Sequence, residues 1–305
     1  MGFKAYGKPG KILVEISLVA SQFGFCSSYV YFIASQIGGK GGVIQCFTDP
    51  TSVLDVPCAD GTVINRWYWL PICMAIFVPL ALVRKMENFA ATHIFADVMI
   101  ILTLIAIFSY AGISLSNNGP KIEGIGPIGD LWADAIGFSV YTYEGIGVIL
   151  PMQEVTADKK NYFKLLCCTV SGIALLYIVF GEFTLMAWGD TENFQLPLIT
   201  SSLPETDIIT YILKILFSIN LFFSYPLMLH PANLIIETWF FDGWPKSRKR
   251  QMCKNLTRTI TVALTCCVAL AIYDKLDQFL SITGSLTCTP VAFLIPAGLH
   301  LKLIA

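Results

Sequence analysis

Eight apolar stretches, each about as long as a membrane-spanning helix, dominate this sequence of 305 residues. A helix that crosses a bilayer needs about 20 mostly apolar residues, because the hydrocarbon offers no partner to backbone polar groups. The predicted spans are residues 12–36, 67–84, 90–115, 131–151, 164–188, 208–237, 256–273 and 278–300. Only 13% of the residues are charged, against about 25% in soluble domains. The sequence therefore predicts an all-α integral membrane protein with about eight transmembrane helices, folded as a single polytopic domain over residues 1–305.

Lysine and arginine alternate between the connections, and this pattern predicts which ends of the spans share a side of the membrane. One set of connections holds only Lys40, Arg66, Lys121 and Lys275. The other set holds Lys4, Lys8, Lys11, Arg84, Lys85, Lys159, Lys160, Lys164, Lys246, Arg248, Lys249, Arg250, Lys254, Arg258 and Lys302. Cytoplasmic connections are enriched in both residue types, so both termini of this chain are expected in the cytoplasm. The net charge of −1 gives no reason to expect nucleic acid as a partner.

The densest basic cluster is WPKSRKRQMCK, residues 244–254, in the connection before the seventh span. A cluster of this kind on the cytoplasmic side attracts anionic lipid and helps to set the topology. A regulatory binding site is the alternative interpretation. We expect the cluster to face the inner leaflet in either case.

The fourth span contains FSVYTYEGIGVILP, residues 138–151, with Glu144 about midway along it. An ionisable side chain at that depth cannot easily reach the interface. Such residues usually mark substrate or ion pathways, so Glu144 is a functional-site candidate.

Glycines surround Glu144 at positions 137, 145 and 147, and Pro151 follows. Each glycine lowers helix propensity by up to about 1 kcal/mol, and proline ends or kinks a helix. Secondary transporters bind substrate near the midplane, where a helix is interrupted. Glycines also allow membrane helices to pack closely. An interrupted helix and a packing contact therefore both remain open.

The sixth span carries Asn220, Ser224, Pro226 and Pro231 in its apolar sequence. The prolines remove backbone hydrogen bonds and predict a kink. Ser224 lies one turn from Asn220 and could present an oxygen to a small cation. Alternatively, its hydroxyl is bonded back to its own helix.

Cysteine positions separate into two groups. Most lie within apolar stretches, where cysteine usually behaves as a small core residue. Cys46 and Cys58 instead share a polar loop on the predicted outer side, where a disulfide between them is possible. No spacing matches a zinc site, so no metal is expected.

Two segments resemble a known family. SQFGFCSSYVYFIAS (residues 21–35) and YTYEGIGVILPM (residues 141–152) are similar to the amino acid/auxin permease family, particularly its proton-coupled and vacuolar amino acid transporters. The matched positions are Gln22, Gly24, Phe25, Cys26, Tyr29, Phe32, Tyr141, Tyr143, Glu144, Gly145, Ile146, Gly147 and Pro151. The resemblance implies a leucine-transporter-like fold, in which two inverted five-helix repeats surround a central site.

The alignment with this family also predicts a partial fold. The first span here corresponds to the family's third helix, so the chain lacks the first two helices and the last one. Either the sequence is a fragment, or it is a truncated relative.

Site residues follow from the resemblance position by position. The expected substrate-binding residues are Ser139, Val140, Tyr141, Tyr143, Glu144, Gly145 and Tyr29. Glu144 would stabilise the helix interruption or take part in proton movement. Glu144, Ser224 and Asn220 would lie near a coupling cation.

The resulting prediction is secondary active transport of an amino acid by alternating access, driven by a proton or sodium gradient and without another cofactor. The alternative is a transport-deficient amino acid sensor or interaction protein with the same fold. Signs of an enzyme, such as an H-E-x-x-H motif, are not found in the sequence. The plasma membrane and the vacuolar or lysosomal membrane suit the spans equally, and the sequence does not indicate an oligomeric state.

Overall fold

The computed structural model describes residues 2–39, 41–48, 63–83, 90–122, 132–145, 149, 152–153, 156, 158–189, 198–203, 207–272 and 275–304. Their α-helices are α1 (Gly2–Gly38), α2 (Val43–Thr48), α3 (Trp69–Leu82), α4 (Ala90–Asn118), α5 (Trp132–Tyr143), α6 (Tyr162–Trp188), α7 (Ile208–Phe241), α8 (Arg248–Ala271), α9 (Leu276–Thr283) and α10 (Ile295–Ile304). No strand occurs in these ranges. The prediction of an all-α protein is thereby confirmed for the described part of the chain.

Among the described residues, five helical segments are long and apolar enough to cross a membrane. They comprise 6–48, 94–118, 162–188, 208–241 and 276–302. The helix from Trp69 to Leu82 is apolar but shorter. Helices α5 and α8 also overlap predicted spans, but α5 is shorter and α8 is more polar than the five long segments. That α3, α5 and α8 cross the membrane, as the eight-span arrangement requires, stays a prediction.

Helices α1 and α7 run antiparallel and are joined at both ends. Near one end, the Trp239 indole donates to the Glu15 carboxylate, at 2.6 Å. Near the other end, the buried Lys214 ammonium donates to the Gly41 carbonyl, at 2.6 Å. This arrangement agrees with the alternation of direction that the basic residues predict.

The main core lies where α1, α3, α7 and α8 meet, with α9 against them. Tyr225 of α7 is fully buried, and its ring centroid lies 4.1 Å from that of Phe77 on α3. Its hydroxyl pairs with Thr265 of α8 at 2.7 Å, so the phenol's only polar group is satisfied in an apolar interior. A second, smaller cluster joins α4, α6 and α7.

A buried ion-pair cluster ties three helices together at the end that carries the start of α8. Arg258 is 2% exposed, and its Nε donates to the Glu237 carboxylate of α7 at 2.7 Å. Its Nη1 donates to the Ala81 carbonyl at the end of α3, at 2.8 Å. Lys254 donates to the second Glu237 oxygen at 2.7 Å. The sequence assigned Arg258 only to the topology signal, and the structure gives it this packing role as well.

The last span contains two π-helical segments, Gly284–Cys288 and Pro290–Leu294. Pro290 lacks an N–H group, which removes one bond of an ordinary helix. The ladder widens accordingly: the Thr289 N–H donates to the Gly284 carbonyl, and the Ile295 N–H donates to the Pro290 carbonyl. Such segments occur often at functional sites. The first of them, Gly284–Cys288, lies directly against α5.

Candidate functional site

Helix α5 ends at Tyr143, well before the end of the predicted span at residue 151. Glu144 and Gly145 follow it without helical structure. A Cβ atom added to Gly145 would meet no atom of the described residues within 4 Å, so none of these residues requires a glycine there. The sequence continues through residues 146–148 and 151, which lie outside the described residues. The observed end of α5 supports an interrupted helix more than a packing contact at Gly145.

Gly137 allows close helix packing, which was the second interpretation of the glycines near Glu144. A Cβ atom on Gly137 would lie 2.5 Å from the Ser281 carbonyl oxygen, and one on Gly284 would collide with the Gly137 carbonyl. Helix α5 therefore crosses the last span in backbone contact. The Ser281 hydroxyl also donates to Asp134 at 3.0 Å, which fixes the start of α5.

The predicted site residues Tyr141 and Tyr29 lie close together between α5 and α1. The Tyr141 ring is 4.6 Å from that of Phe25, measured between centroids. Its hydroxyl lies near the Ser28 side chain and near the Tyr29 hydroxyl; the Ser28 hydroxyl itself donates to the Gly24 carbonyl at 2.9 Å. The structure thus unites the two motifs that carried the family resemblance.

Tyr143 and Tyr177 extend this group towards α6. Their ring centroids are 5.5 Å apart in an edge-to-face arrangement, and Tyr177 also lies within electrostatic range of Tyr29. Tyr143 is 48% exposed and Tyr177 is 42% exposed. We call Tyr29, Tyr141, Tyr143 and Tyr177 the tyrosine cluster; Tyr29 and Tyr141 are partly buried, whereas Tyr143 and Tyr177 are exposed.

Glu144 lies beside the tyrosine cluster at the C-terminal end of α5. It is partly buried and within electrostatic range of the Cys288 thiol, in the first π-helical segment. The C-terminal end of a helix carries partial negative charge on carbonyl groups that lack helical partners. A carboxylate next to these carbonyls forms a region of negative potential, which attracts a cation or an ammonium group.

The remaining predicted site residues of α5 lie on its other faces. Ser139 is exposed, and its hydroxyl donates back to the Ala135 carbonyl at 2.7 Å. Val140 is partly buried. Their assignment to the substrate site stays a prediction.

Asn220 and Ser224, the proposed cation-site residues of α7, lie along the core face of that helix. Asn220 is buried, and its amide donates to the Ala96 carbonyl of α4 at 2.8 Å. Ser224 is partly buried. Asn220 therefore joins two helices, and a role near a coupling cation stays a prediction.

The predicted disulfide lies partly outside the described residues. Cys46 is buried and disulfide-bonded, whereas Cys58 belongs to a range that the structure does not describe. The pairing of these two residues stays a prediction. A group of three or more residues able to hold a metal is not found among the described residues.

Sequence analysis did not identify Tyr177, Ser28 or Cys288 as site residues. Tyr177 is one aromatic residue in an apolar span, and Ser28 occupies a variable position of the first motif. The available signal for the last span was a glycine followed by a proline, Gly284 and Pro290, which indicates an irregular helix.

Apolar helices packed around a partly open polar site define a multi-pass membrane protein of the transporter type. The chain belongs to a family of such proteins: residues 1–305 match the family described as transmembrane amino acid transporter protein. Membership confirms the predicted resemblance and the prediction that the protein is not an enzyme.

Several characterised proteins are similar to this chain. Vacuolar amino acid transporter 3 of Schizosaccharomyces pombe is 33% identical over 310 residues, which cover 100% of this chain and 44% of that protein. Vacuolar amino acid transporter 4 of Saccharomyces cerevisiae is 28% identical, with 99% of this chain and 44% of that protein covered. Amino acid transporter AVT3C of Arabidopsis thaliana is 28% identical, with 99% and 66% covered.

The chain spans less than half the length of the two yeast relatives. No solved structure matches it, and the leucine-transporter-like arrangement stays a prediction.

Proposed function

We propose that the protein moves an amino acid across a membrane by secondary active transport, with the site between the end of α5 and the tyrosine cluster. The observation that carries the proposal is the end of α5 at Tyr143, beside Glu144 and among aromatic hydroxyl groups. The relatives are named amino acid transporters, which favours transport over the sensor alternative.

The chemistry of the site suits a zwitterion. The carbonyls of the last turn of α5, where the helix dipole places partial negative charge, and the Glu144 carboxylate can attract an ammonium group. Tyrosine hydroxyls can donate hydrogen bonds to a carboxylate. The open side at Tyr143 and Tyr177 provides aromatic surface for an apolar side chain.

A proton or a sodium ion is the proposed driving ion. Either cation could offset the negative charge of Glu144 beside the helix end, and its binding would change the charge that the substrate meets. Alternating access about this site would then couple the two movements. Because two relatives are named vacuolar transporters, we propose a vacuolar membrane as the location.

Counterflow in reconstituted vesicles tests this function. The full-length protein is placed in vesicles loaded with one unlabelled amino acid, and uptake of the same labelled amino acid is followed across a panel of substrates. We expect stimulated uptake for at least one member of the panel. A pH gradient and a sodium gradient, imposed separately, identify the driving ion. Specific binding without counterflow for any substrate would favour the sensor instead.

A further inference from the structure

An open cavity of about 370 Å³ lies between the end of α7 and the start of α8. Its lining residues are Lys246, Ser247, Arg248, Arg250, Gln251 and Lys254. Four of these six side chains are cationic and none is acidic. The cavity lies within the basic cluster of residues 244–254 and shares no residue with the proposed transport site at the end of α5.

The local fold brings these cations together. Gly243 adopts a φ of 81° after α7 and allows the chain to reverse. Ser247 then caps α8, and its hydroxyl accepts a hydrogen bond from the Arg250 N–H at 3.2 Å. Helix α8 has no acidic residue in its first turn. Instead it begins with Arg248, Lys249 and Arg250, although the helix dipole disfavours cations at this end.

Arg250 has a donor that the fold leaves open. Its Nη2 donates to the Phe241 carbonyl at 3.0 Å, which holds the side chain in place. Its Nε is buried and has no hydrogen-bond partner in the described part of the chain. A buried, unsatisfied donor costs free energy, and an anion in the cavity would satisfy it.

The nearby acidic residues do not neutralise the cavity. Between residues 237 and 258 the sequence has six basic residues and two acidic ones. Glu237 is fully engaged by Lys254 and Arg258, and Asp242 is an exposed residue at the end of α7. Lys246, Arg248 and Arg250 therefore keep an excess of positive charge.

Apolar and aromatic side chains indicate where the cavity lies relative to a bilayer. Trp239, Phe240 and Trp244 are exposed near the end of α7. Exposed Met252 and Leu256 follow on α8, immediately beyond the basic first turn. Aromatic residues concentrate at the level of lipid headgroups, so the cavity is expected at that level, on the side predicted to be cytoplasmic.

We propose that this cavity binds a compact group that carries more than one phosphate, supplied by the headgroup of an anionic membrane lipid. Several convergent cations and an open guanidinium donor fit a multiply charged phosphate better than a single carboxylate. Lys254 lines the cavity and also donates to Glu237. Occupancy would therefore act on the ion-pair cluster that joins α3, α7 and α8.

Binding to the purified full-length protein in detergent micelles tests the proposal. The probes are dioctanoyl phosphatidylinositol 4,5-bisphosphate, inositol 1,4,5-trisphosphate and dioctanoyl phosphatidylserine. The variant Lys246→Gln/Arg248→Gln removes two exposed cations and leaves Arg250 and Lys254 in place. Its control, Lys159→Gln/Lys160→Gln, removes two exposed cations from the connection before α6.

We expect saturable binding of the bisphosphate lipid, about thirtyfold weaker in the Lys246/Arg248 variant, since each cation near an anionic surface strengthens binding by about fivefold and the two factors multiply. The control variant should bind like the wild type. If inositol trisphosphate binds as tightly as the lipid, the ligand is a soluble polyphosphate and not a lipid headgroup. Weaker binding of it would assign the occupant to the bilayer.

Three results would overturn the proposal. They are absence of saturable binding by both polyphosphate probes, equal weakening in the two variants, and equally tight binding of phosphatidylserine. The last two results would show that the basic residues attract anionic lipid in general and that the cavity does not recognise a polyphosphate group.

Discussion

Gly284 in the last span lies against Gly137 of α5 so closely that a Cβ atom on Gly284 would collide with the Gly137 carbonyl oxygen. This backbone contact sets the position of α5, whose far end carries Tyr141, Tyr143 and Glu144. The site thus depends on two glycines that are not part of it.

Replacing Gly284 with alanine is expected to destabilise the protein. Overpacking of this kind costs about 1–3 kcal/mol, because the obstacle is backbone and cannot rotate away. The measurement is the thermal unfolding midpoint of purified protein in detergent. Gly172→Ala on α6 is the matched control, since an added Cβ there meets nothing within 4 Å and alanine favours a helix. An unchanged midpoint for Gly284→Ala, or the same decrease in both variants, would refute the contact.

Replacing Arg258 with methionine should destabilise the protein more strongly. The change keeps much of the side-chain volume but removes the bonds to Glu237 and Ala81. Breaking a buried ion pair costs about 3–5 kcal/mol. Denaturation in detergent measures this loss. The control is Lys11→Met, which breaks a pair with Glu15 at 3.6 Å whose lysine is half exposed and is worth about 0–1 kcal/mol. Equal losses in both variants would contradict the account.

Tyr141→Phe is expected to weaken substrate binding and to leave the fold intact. Phenylalanine keeps the packing against Phe25 but removes the hydroxyl that we propose donates a hydrogen bond to the substrate carboxylate. A single neutral hydrogen bond contributes about 0.5–1.5 kcal/mol, so KM should rise about two- to tenfold. Initial uptake rates measure it. Tyr6→Phe removes a hydroxyl that bonds the Gly298 carbonyl, away from the site, and its KM should stay unchanged.

Cys46 is expected to pair with Cys58. Peptide mapping of the unreduced protein by mass spectrometry should recover these two residues in one linked fragment. Eight other cysteines are free thiols, so they should be recovered as single alkylated peptides. A linkage of Cys46 to any other cysteine would show that the prediction is wrong.

The sequence predicted the all-α architecture, and the five long apolar helices of the described residues overlap five of its predicted spans, because a bilayer allows few alternatives to apolar helices of fixed length. The eight-span count and the orientation of the helices in the membrane stay predictions. The sequence also predicted that Tyr29 and Tyr141 belong together, although only a resemblance supported this. The role of Tyr177 was not predictable, since its position depends on how α6 packs beside α5. Periodicity within α6 contains no information on that packing.

Buried polar contacts were the other feature that the sequence did not reveal. Arg258 counted there as one of many basic residues near the cytoplasmic side, and only the structure shows it enclosed with Glu237. The sequence also did not indicate that the Asn220 amide joins α7 to α4 through the Ala96 carbonyl; its role near a cation stays a prediction. The hydrogen-bond partners of these side chains lie on other helices, and the spacing of residues along one helix does not specify those partners.

The central claim is that Glu144, at the end of α5, belongs to the transport mechanism. The most direct test is amino acid uptake by vesicles containing the Glu144→Gln variant, measured as a function of external pH. Glu182→Gln, which changes an exposed carboxylate on α6, serves as the control. The control is expected to retain normal uptake, whereas the Glu144 variant is expected to lose most of its uptake or the dependence of uptake on pH. Unchanged uptake with unchanged pH dependence in the Glu144 variant would contradict it.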